Sequence, residues 1–307
     1  MPKEKRALVI INPYAGQRMA NRHLTSVVEV LSSEGYLPTV LTTTVEENGS
    51  FLVREYGKSA DLYVCIGGDG TFHEVVAGVL DVAPKTPIAY IPAGTTNDFA
   101  KSIGLPTSIP RATALISDGL PCAIDIGTFN NEYFTYTASC GAFTRASYAT
   151  PRAMKNSLGH LAYVLESIRS LPELRPVHLR IETEERVYED DYIFTAVCNS
   201  TSLGGVLRLK PEAVDLQDGQ LEFLLIRAPK TMMEFTKIVQ GIQAKRYEPP
   251  LMTLFSAASA KIYTPPALDW SLDGEHVATR GTVEISAKRL AFKLLLPKDA
   301  AKRLKEV

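Results

Sequence analysis

Leu62-Tyr63-Val64-Cys65-Ile66-Gly67-Gly68-Asp69-Gly70-Thr71 joins an apolar run to a glycine-rich turn. Beyond it, Phe72, Val75, Val76 and Val79 recur at the spacing of one helix face. The stretch therefore predicts a strand, a tight turn and the N-terminus of a helix. Glycine lets backbone N–H groups approach a ligand closely and tolerates φ > 0. A helix N-terminus adds unpaired N–H groups and the positive end of the dipole, which together suit a phosphate. Asp69 makes sense there when a metal ion or a proton transfer takes part. A tight βα turn with an incidental aspartate accounts for the same residues in isolation, so the flanking sequence decides between the two readings.

Working outward, the first third of the chain alternates strands with helices. Residues 7–12 read as a strand, and Leu24, Val27, Val28 and Leu31 as one face of a helix ending at Gly35. Strands follow at 36–42, 61–66 and 88–91, with a helix around 50–56. This βαβα order implies a parallel sheet covered by helices, with ligands bound beyond the carboxyl ends of the strands. Three loops follow strand ends and should converge there. They are Asn12-Pro13-Tyr14-Ala15-Gly16, Gly67-Gly68-Asp69-Gly70-Thr71 and Pro92-Ala93-Gly94-Thr95-Thr96-Asn97-Asp98.

Near residues 125–127 the pattern changes. Residues 123–129 and 133–138, joined by Asn130-Asn131, read as a hairpin. A helical pattern runs through Leu158, Leu161, Leu165 and Ile168, and Val177, Leu179 and Ile181 alternate with polar residues as in a half-buried strand. Further strands are expected at 192–197, 221–226, 260–263, 282–285 and 290–296. The expected organisation is an α/β unit over residues 1–126, rejoined by 290–307, and a mainly antiparallel β-sandwich unit over 127–289, with a cleft between them.

The chain has 307 residues, 33 Lys and Arg against 34 Asp and Glu, and four dispersed cysteines. Near-zero net charge gives a nucleic-acid partner no support. With no C-x-x-C pair, a zinc site or disulfide framework is not expected, and a reducing cytosol is the simplest setting. The longest uncharged stretch, residues 192–207, falls short of the ~20 apolar residues that span a bilayer. The run 7–11 is too short for a signal-peptide core.

Taken together, the three loops with Glu74 and Phe99-Ala100, Asp215-Leu216-Gln217-Asp218-Gly219 and Asp273-Gly274-Glu275 resemble the diacylglycerol kinase catalytic family, the soluble bacterial lipid kinases above all. Sphingosine and ceramide kinases are more distant relatives. The glycine loop alone is weak, because NAD kinases and phosphofructokinases carry similar ones; the order of all the motifs over nearly the whole chain is far more specific. The resemblance implies an α/β nucleotide domain and a β-sandwich-like second domain. It also implies a cytoplasmic enzyme, peripheral to the inner face of the membrane, that moves the γ-phosphate of ATP to a lipid hydroxyl. The first-choice acceptor is diacylglycerol, giving phosphatidic acid.

Phosphoryl transfer needs the phosphate held in line, its charge neutralised and the acceptor hydroxyl deprotonated. No G-x-x-x-x-G-K-[ST] is present, so the glycine loop with Gly94-Thr95 is the expected phosphate cradle. Asp69 and Asp98 offer hard oxygens to the nucleotide Mg²⁺, directly or through water. Asn12 and Asn97 could contact nucleotide or cap their own loops. Thr44 resembles the family's nucleotide threonine. Glu275 is the first candidate for general base and Asp273 the second, as base or as its orienter. The resemblance further implies a structural Mg²⁺ on Asp215, Asp218 and the carbonyl of Gln220, where an acidic turn is the alternative. Arg145, Arg152 and Lys155 within 144–160, and Lys298, Lys302, Arg303 and Lys305, are candidate membrane-facing cations or ordinary solvated charge. Residues 203–206 could line an acyl entrance or a buried core. A homodimer stays open. The rival readings are an NAD kinase-like soluble kinase and a catalytically silent lipid- or nucleotide-binding regulator.

Overall fold

The computed structural model describes residues 4–141, 174–203 and 207–305. The expected helix through Leu158 and Ile168, the basic segment 144–160 and the Gly204-Gly205-Val206 stretch lie outside the described residues. Two compact units are present, one of Met1–Asp125 with Arg289–Val307 and one of Ile126–Lys288.

The chain opens as β1 (Lys5–Ile11), α1 (Met19–Arg22), α2 (Leu24–Ser33), β2 (Tyr36–Thr42), α3 (Gly49–Tyr56), β3 (Leu62–Gly67), α4 (Asp69–Val82), β4 (Pro87–Pro92), α5 (Asp98–Ser102) and α6 (Ile109–Asp118). It continues as β5 (Leu120–Phe129), β6 (Glu132–Phe134), β7 (Thr137–Gly141), β8 (Val177–Glu182), β9 (Val187–Cys198), β10 (Ser202–Leu203), β11 (Leu207–Arg208), β12 (Leu221–Arg227) and α7 (Met232–Ala244). The last elements are β13 (Met252–Ala257), β14 (Ser259–Tyr263), β15 (Pro266–Leu272), β16 (Glu275–Arg280), β17 (Val283–Leu296) and α8 (Lys298–Lys305).

In the first unit the strands run in the order β2-β1-β3-β4-β17, every neighbouring pair parallel. Such a sheet is buried on both faces, so β3 reads as a continuous apolar run. On one face α2 (Val27, Leu31) and α6 (Ile109, Ala112, Ile116) cover Val9, Ile11, Val64, Ile66, Ala89 and Ile91. Tyr90, between Ala89 and Ile91, points to the opposite face. There Phe72 of α4 stacks on Tyr90 at 4.3 Å and on Phe99 of α5 at 5.0 Å. Burying rings of this size stabilises by about 1.5–3 kcal/mol each. From β1 the chain passes to β2 on one side, while β3 lies on the other. This reversal of strand order marks the place where open α/β sheets bind ligands, at the carboxyl ends.

The second unit is antiparallel. Its main core joins Phe129, Phe134, Leu179, Ile181, Val197, Phe223, Trp270 and Ile285. A second cluster packs Phe235 and Ile238 of α7 under Ile193, Ala196, Leu224 and Ile226. With core on both faces, β12 is buried throughout its first six residues. The expected strand 133–138 divides into β6 and β7, and the expected strands 282–285 and 290–296 are one strand, β17. Residues 135 and 136 lie between the two strands, and their N–H groups bond a side chain described below.

Among the described residues no helix is long and apolar enough to cross a membrane. Cys65, Cys122, Cys140 and Cys198 are buried free thiols.

Candidate active site

Three loops meet at the carboxyl ends of β1, β3 and β4. Asn12 ties the first two together. Its backbone N–H donates to the Ile66 carbonyl at 2.9 Å, and its Nδ2 donates to Thr71 Oγ1 at 3.1 Å. Its Oδ1 accepts from Tyr14 N at 3.0 Å, which bends the chain at Pro13 and leaves Tyr14 exposed. The bend carries Ala15 and Gly16 back to the third loop: a Cβ at Gly16 would stand 2.0 Å from the Ala93 carbonyl oxygen. Gly68 and Gly94 bring the second and third loops together, since a Cβ on Gly94 would lie 2.6 Å from the Gly68 Cα. Gly67 is crowded by the Thr71 side chain in the same way. Gly70 differs, with open space where a side chain would begin. Four of these glycines, Gly16, Gly67, Gly68 and Gly94, thus serve close packing, and Gly70 is the one facing a volume a ligand could fill.

Two of the three carboxylates of α4, Asp69 and Glu74, cap other helices. Asp69, buried at the start of α4, accepts from Asp98 N at 2.9 Å and from Phe99 N at 3.3 Å. These are the first N–H groups of α5, which has no cap from the side chain of its own N-cap residue: Asn97 sits at φ 49° and closes the loop instead. Its Oδ1 accepts from Gly94 N at 2.9 Å and its Nδ2 donates to the Gly94 carbonyl at 3.0 Å. Asn12 and Asn97 therefore both bond loop backbone. Glu74 Oε2 accepts from Gly49 N, the first residue of α3, at 2.9 Å. The cap of α3 is completed by Asn48, whose Oδ1 accepts from Phe51 N at 3.0 Å. Thr44 lies in the exposed turn before it, its Oγ1 accepting from Glu47 N at 2.9 Å. Thr95 is exposed and Asp98 buried. Burial, then the negative charges of Glu74 and Asp69, push the Cys65 thiol well above its ordinary value, so it stays protonated and inert.

In the second unit Asp273-Gly274 forms the two-residue turn between β15 and β16, both residues at positive φ (48° and 90°). The Asp273 carboxylate accepts from Thr135 N at 2.5 Å, Thr135 Oγ1 at 2.7 Å, Tyr136 N at 2.9 Å and Thr137 N at 3.0 Å. A carboxylate offers about four lone-pair directions, and these four donors occupy that number. The Asp273 carboxylate thus ties the β15–β16 turn to the segment 135–137. Glu275, the next residue but one, is exposed at the first position of β16. The side-chain locks on Thr135 and Thr137 were not legible beforehand, because they join residues 136–138 positions apart.

The loop 215–220 is built from two carboxylate turns. Asp215 Oδ1 accepts from Gln217 N at 2.9 Å, and Asp218 Oδ1 accepts from Gln220 N at 2.8 Å. Leu216 is buried between them, and Gly219 turns the chain at φ 76° into β12. Among the described residues there is no group of three or more His, Cys, Asp or Glu side chains able to hold a metal. A cation here would depend on the two carboxylates and backbone oxygen.

Comparison with known proteins follows the same division. The pattern of the diacylglycerol kinase catalytic domain matches residues 6–129, and that of the YegS C-terminal NAD kinase beta sandwich-like domain matches 137–293. A diacylglycerol kinase of Bacillus subtilis is 29% identical over 303 residues, covering 98% of this chain and 99% of its own. One from Staphylococcus haemolyticus is 28% identical, covering 96% and 89%. A Bacillus anthracis crystal structure, put forward as a diacylglycerol kinase, superposes with a TM-score of 0.81 at 26% identity, covering 97% of this chain and 96% of that one. An NAD kinase of Archaeoglobus fulgidus in complex with ATP shares the fold, with a TM-score of 0.53 at 11% identity over 98% and 97%.

Proposed function

The chain belongs to the diacylglycerol kinase family, and from that premise we propose that it transfers the γ-phosphate of ATP to the free hydroxyl of diacylglycerol, giving phosphatidic acid and ADP. The observation that carries this reading is the bond from Asp69 to the first N–H groups of α5. It fastens the glycine loop to the loop 92–98, two of the motifs whose order along the chain carries the family resemblance. Residues 1–126 with 290–307 are assigned the nucleotide, and residues 127–289 the lipid.

In the proposed reaction the first-turn N–H groups of Gly70 and Thr71 face the phosphates, because helix geometry leaves them without an intrahelical acceptor. The Asn12–Gly16 loop, Thr44, Gly94 and Thr95 border the same nucleotide. Asp69 and Asp98 would hold Mg²⁺, which when bound neutralises charge on the phosphate oxygens. Asp215, Asp218 and the Gln220 carbonyl would hold a second, structural ion. Glu275 takes the proton from the lipid hydroxyl. That oxygen bonds to the γ-phosphorus as the bond from phosphorus to the bridging oxygen breaks, and the electron pair leaves with ADP. Such base assistance contributes ~10²–10⁴-fold. Lys298 and Lys302, exposed four residues apart on α8, are assigned to an anionic membrane surface.

The test is transfer of radiolabel from γ-labelled ATP with Mg²⁺ to mixed micelles carrying a panel of lipid alcohols, with NAD as a soluble acceptor. The expected product is labelled phosphatidic acid. Label in another lipid replaces the acceptor. Label in NAD alone, or in nothing, overturns the reading.

A further inference from the structure

Helix α5 is five residues long, far below the length at which a helix holds itself in water. Its position, and with it the loop that carries Asn97 and Asp98, must be fixed from outside. The N-terminal end is held by Asp69. The C-terminal end closes in a Schellman turn: Leu105 N donates to the Ala100 carbonyl at 2.8 Å, Gly104 N donates to the Lys101 carbonyl at 3.4 Å, and Gly104 adopts φ 74°. Over that turn lies α8. The Arg303 guanidinium stands 2.8 Å, and the Ala300 methyl 3.7 Å, from where a Cβ of Gly104 would be. Ala300 and Ala301 are buried, so α8 is seated by its small residues and delivers Arg303 to this point.

We propose that Arg303 is a positioning residue for nucleotide binding: a carboxylate at one end of α5 and a guanidinium at the other hold the Asn97-Asp98 loop in place. The signs are those the helix dipole favours, negative at the N-terminus and positive at the C-terminus. Its assigned role needs no contact with nucleotide or lipid. It acts through Gly104 and α5, and so the final helix of the chain belongs to the nucleotide machinery. This inference rests on the kinase reading above.

The experiment uses the full chain with Arg303→Ala and Arg303→Lys. Binding of a fluorescent ATP analogue with Mg²⁺ is measured beside kcat, the KM for ATP and the KM for lipid. Arg303→Ala is expected to weaken analogue binding and raise the KM for ATP by about two- to five-fold, the range a surface charge at a helix end supplies. The lipid KM, kcat and melting midpoint stay near wild type, and Arg303→Lys recovers most of the loss. Wild-type analogue binding by Arg303→Ala overturns the inference. So does a loss shared equally by ATP and lipid parameters with a lowered melting midpoint. A wild-type chain that binds no analogue removes the kinase reading itself, which is a different result from any failure of the variant.

Discussion

Asp273 and Glu275 stand two residues apart in one turn and differ in every physical respect. Asp273 is 5% exposed and accepts four hydrogen bonds from Thr135, Tyr136 and Thr137. Glu275 faces solvent. Their substitutions should separate accordingly. Asp273→Ala leaves several buried donors without an acceptor, at ~1–3 kcal/mol each, and is expected to cost more than about 3 kcal/mol in urea unfolding. Glu275→Gln should unfold as wild type while turnover falls ~10²–10⁴-fold. A Glu275→Gln enzyme with normal turnover would remove the base assignment. The resemblance marked both residues as chemistry, Glu275 ahead of Asp273, but the sequence held no sign of the difference in their burial and partners. That distinction lies in contacts to a segment well over a hundred residues away, where strand periodicity says nothing of side-chain partners.

Among the elements, the short helices α3 and α5 are the instructive ones, because each has a backbone N–H bonded by a carboxylate of α4. An eight-residue helix such as α3 is marginal alone, so the Glu74 bond to Gly49 N bears on whether its first turn forms. Glu74→Ala should cost ~1 kcal/mol, the usual loss of a helix cap, and raise the KM for ATP through the adjoining Thr44 turn. Glu74→Gln keeps an acceptor oxygen and should restore both quantities. If melting and KM measurements find Glu74→Gln as impaired as Glu74→Ala, the charge itself matters and Glu74 contacts ligand or metal directly. Helices α2 and α4 were legible from their apolar spacing, and α5 was not, having too few residues to show a period. Helix α7 did leave a signal. Thr231 and Glu234 form an S/T-x-x-E start, with Thr231 Oγ1 accepting from Glu234 N at 3.2 Å and Glu234 Oε2 accepting from Lys230 N at 2.6 Å. The β15–β16 hairpin was equally marked, by Asp-Gly between the alternating apolar residues Leu268, Trp270, Leu272 and Val277.

Over the whole molecule, a formal net charge of −1 conceals local concentrations of sign. In the second unit, residues 182–191 carry Glu182, Glu184, Glu185, Glu189, Asp190 and Asp191 against Arg186. Part of that charge is matched nearby, by Arg180 on Glu189 at 2.9 Å, His178 on Asp191 at 2.9 Å and Arg227 on Asp190 at 2.7 Å. The C-terminal segment 289–307 is the opposite, with Arg289, Lys293, Lys298, Lys302, Arg303 and Lys305 against Asp299 and Glu306. An enzyme whose acceptor lies in a bilayer gains from such a segment where the lipid is anionic, by about 1 kcal/mol per basic residue near the surface. Lys298, Lys302 and Arg303 are all exposed on α8, and the guanidinium of Arg303 also lies against Gly104. The double variant Lys298→Ala/Lys302→Ala should therefore bind phosphatidylserine-containing vesicles about ten- to thirty-fold more weakly in a sedimentation assay. Raising the salt should shrink the difference, since exposed charges are screened within about 10 Å at 0.1 M. Binding to neutral phosphatidylcholine vesicles should not change, and the KM for ATP with a dispersed short-chain diacylglycerol should stay at the wild-type value. Equal binding of both proteins to anionic vesicles would mean that α8 faces water and that the membrane is met by other residues. A raised KM for ATP would mean instead that these lysines, like Arg303, act on the nucleotide side through the seating of α8.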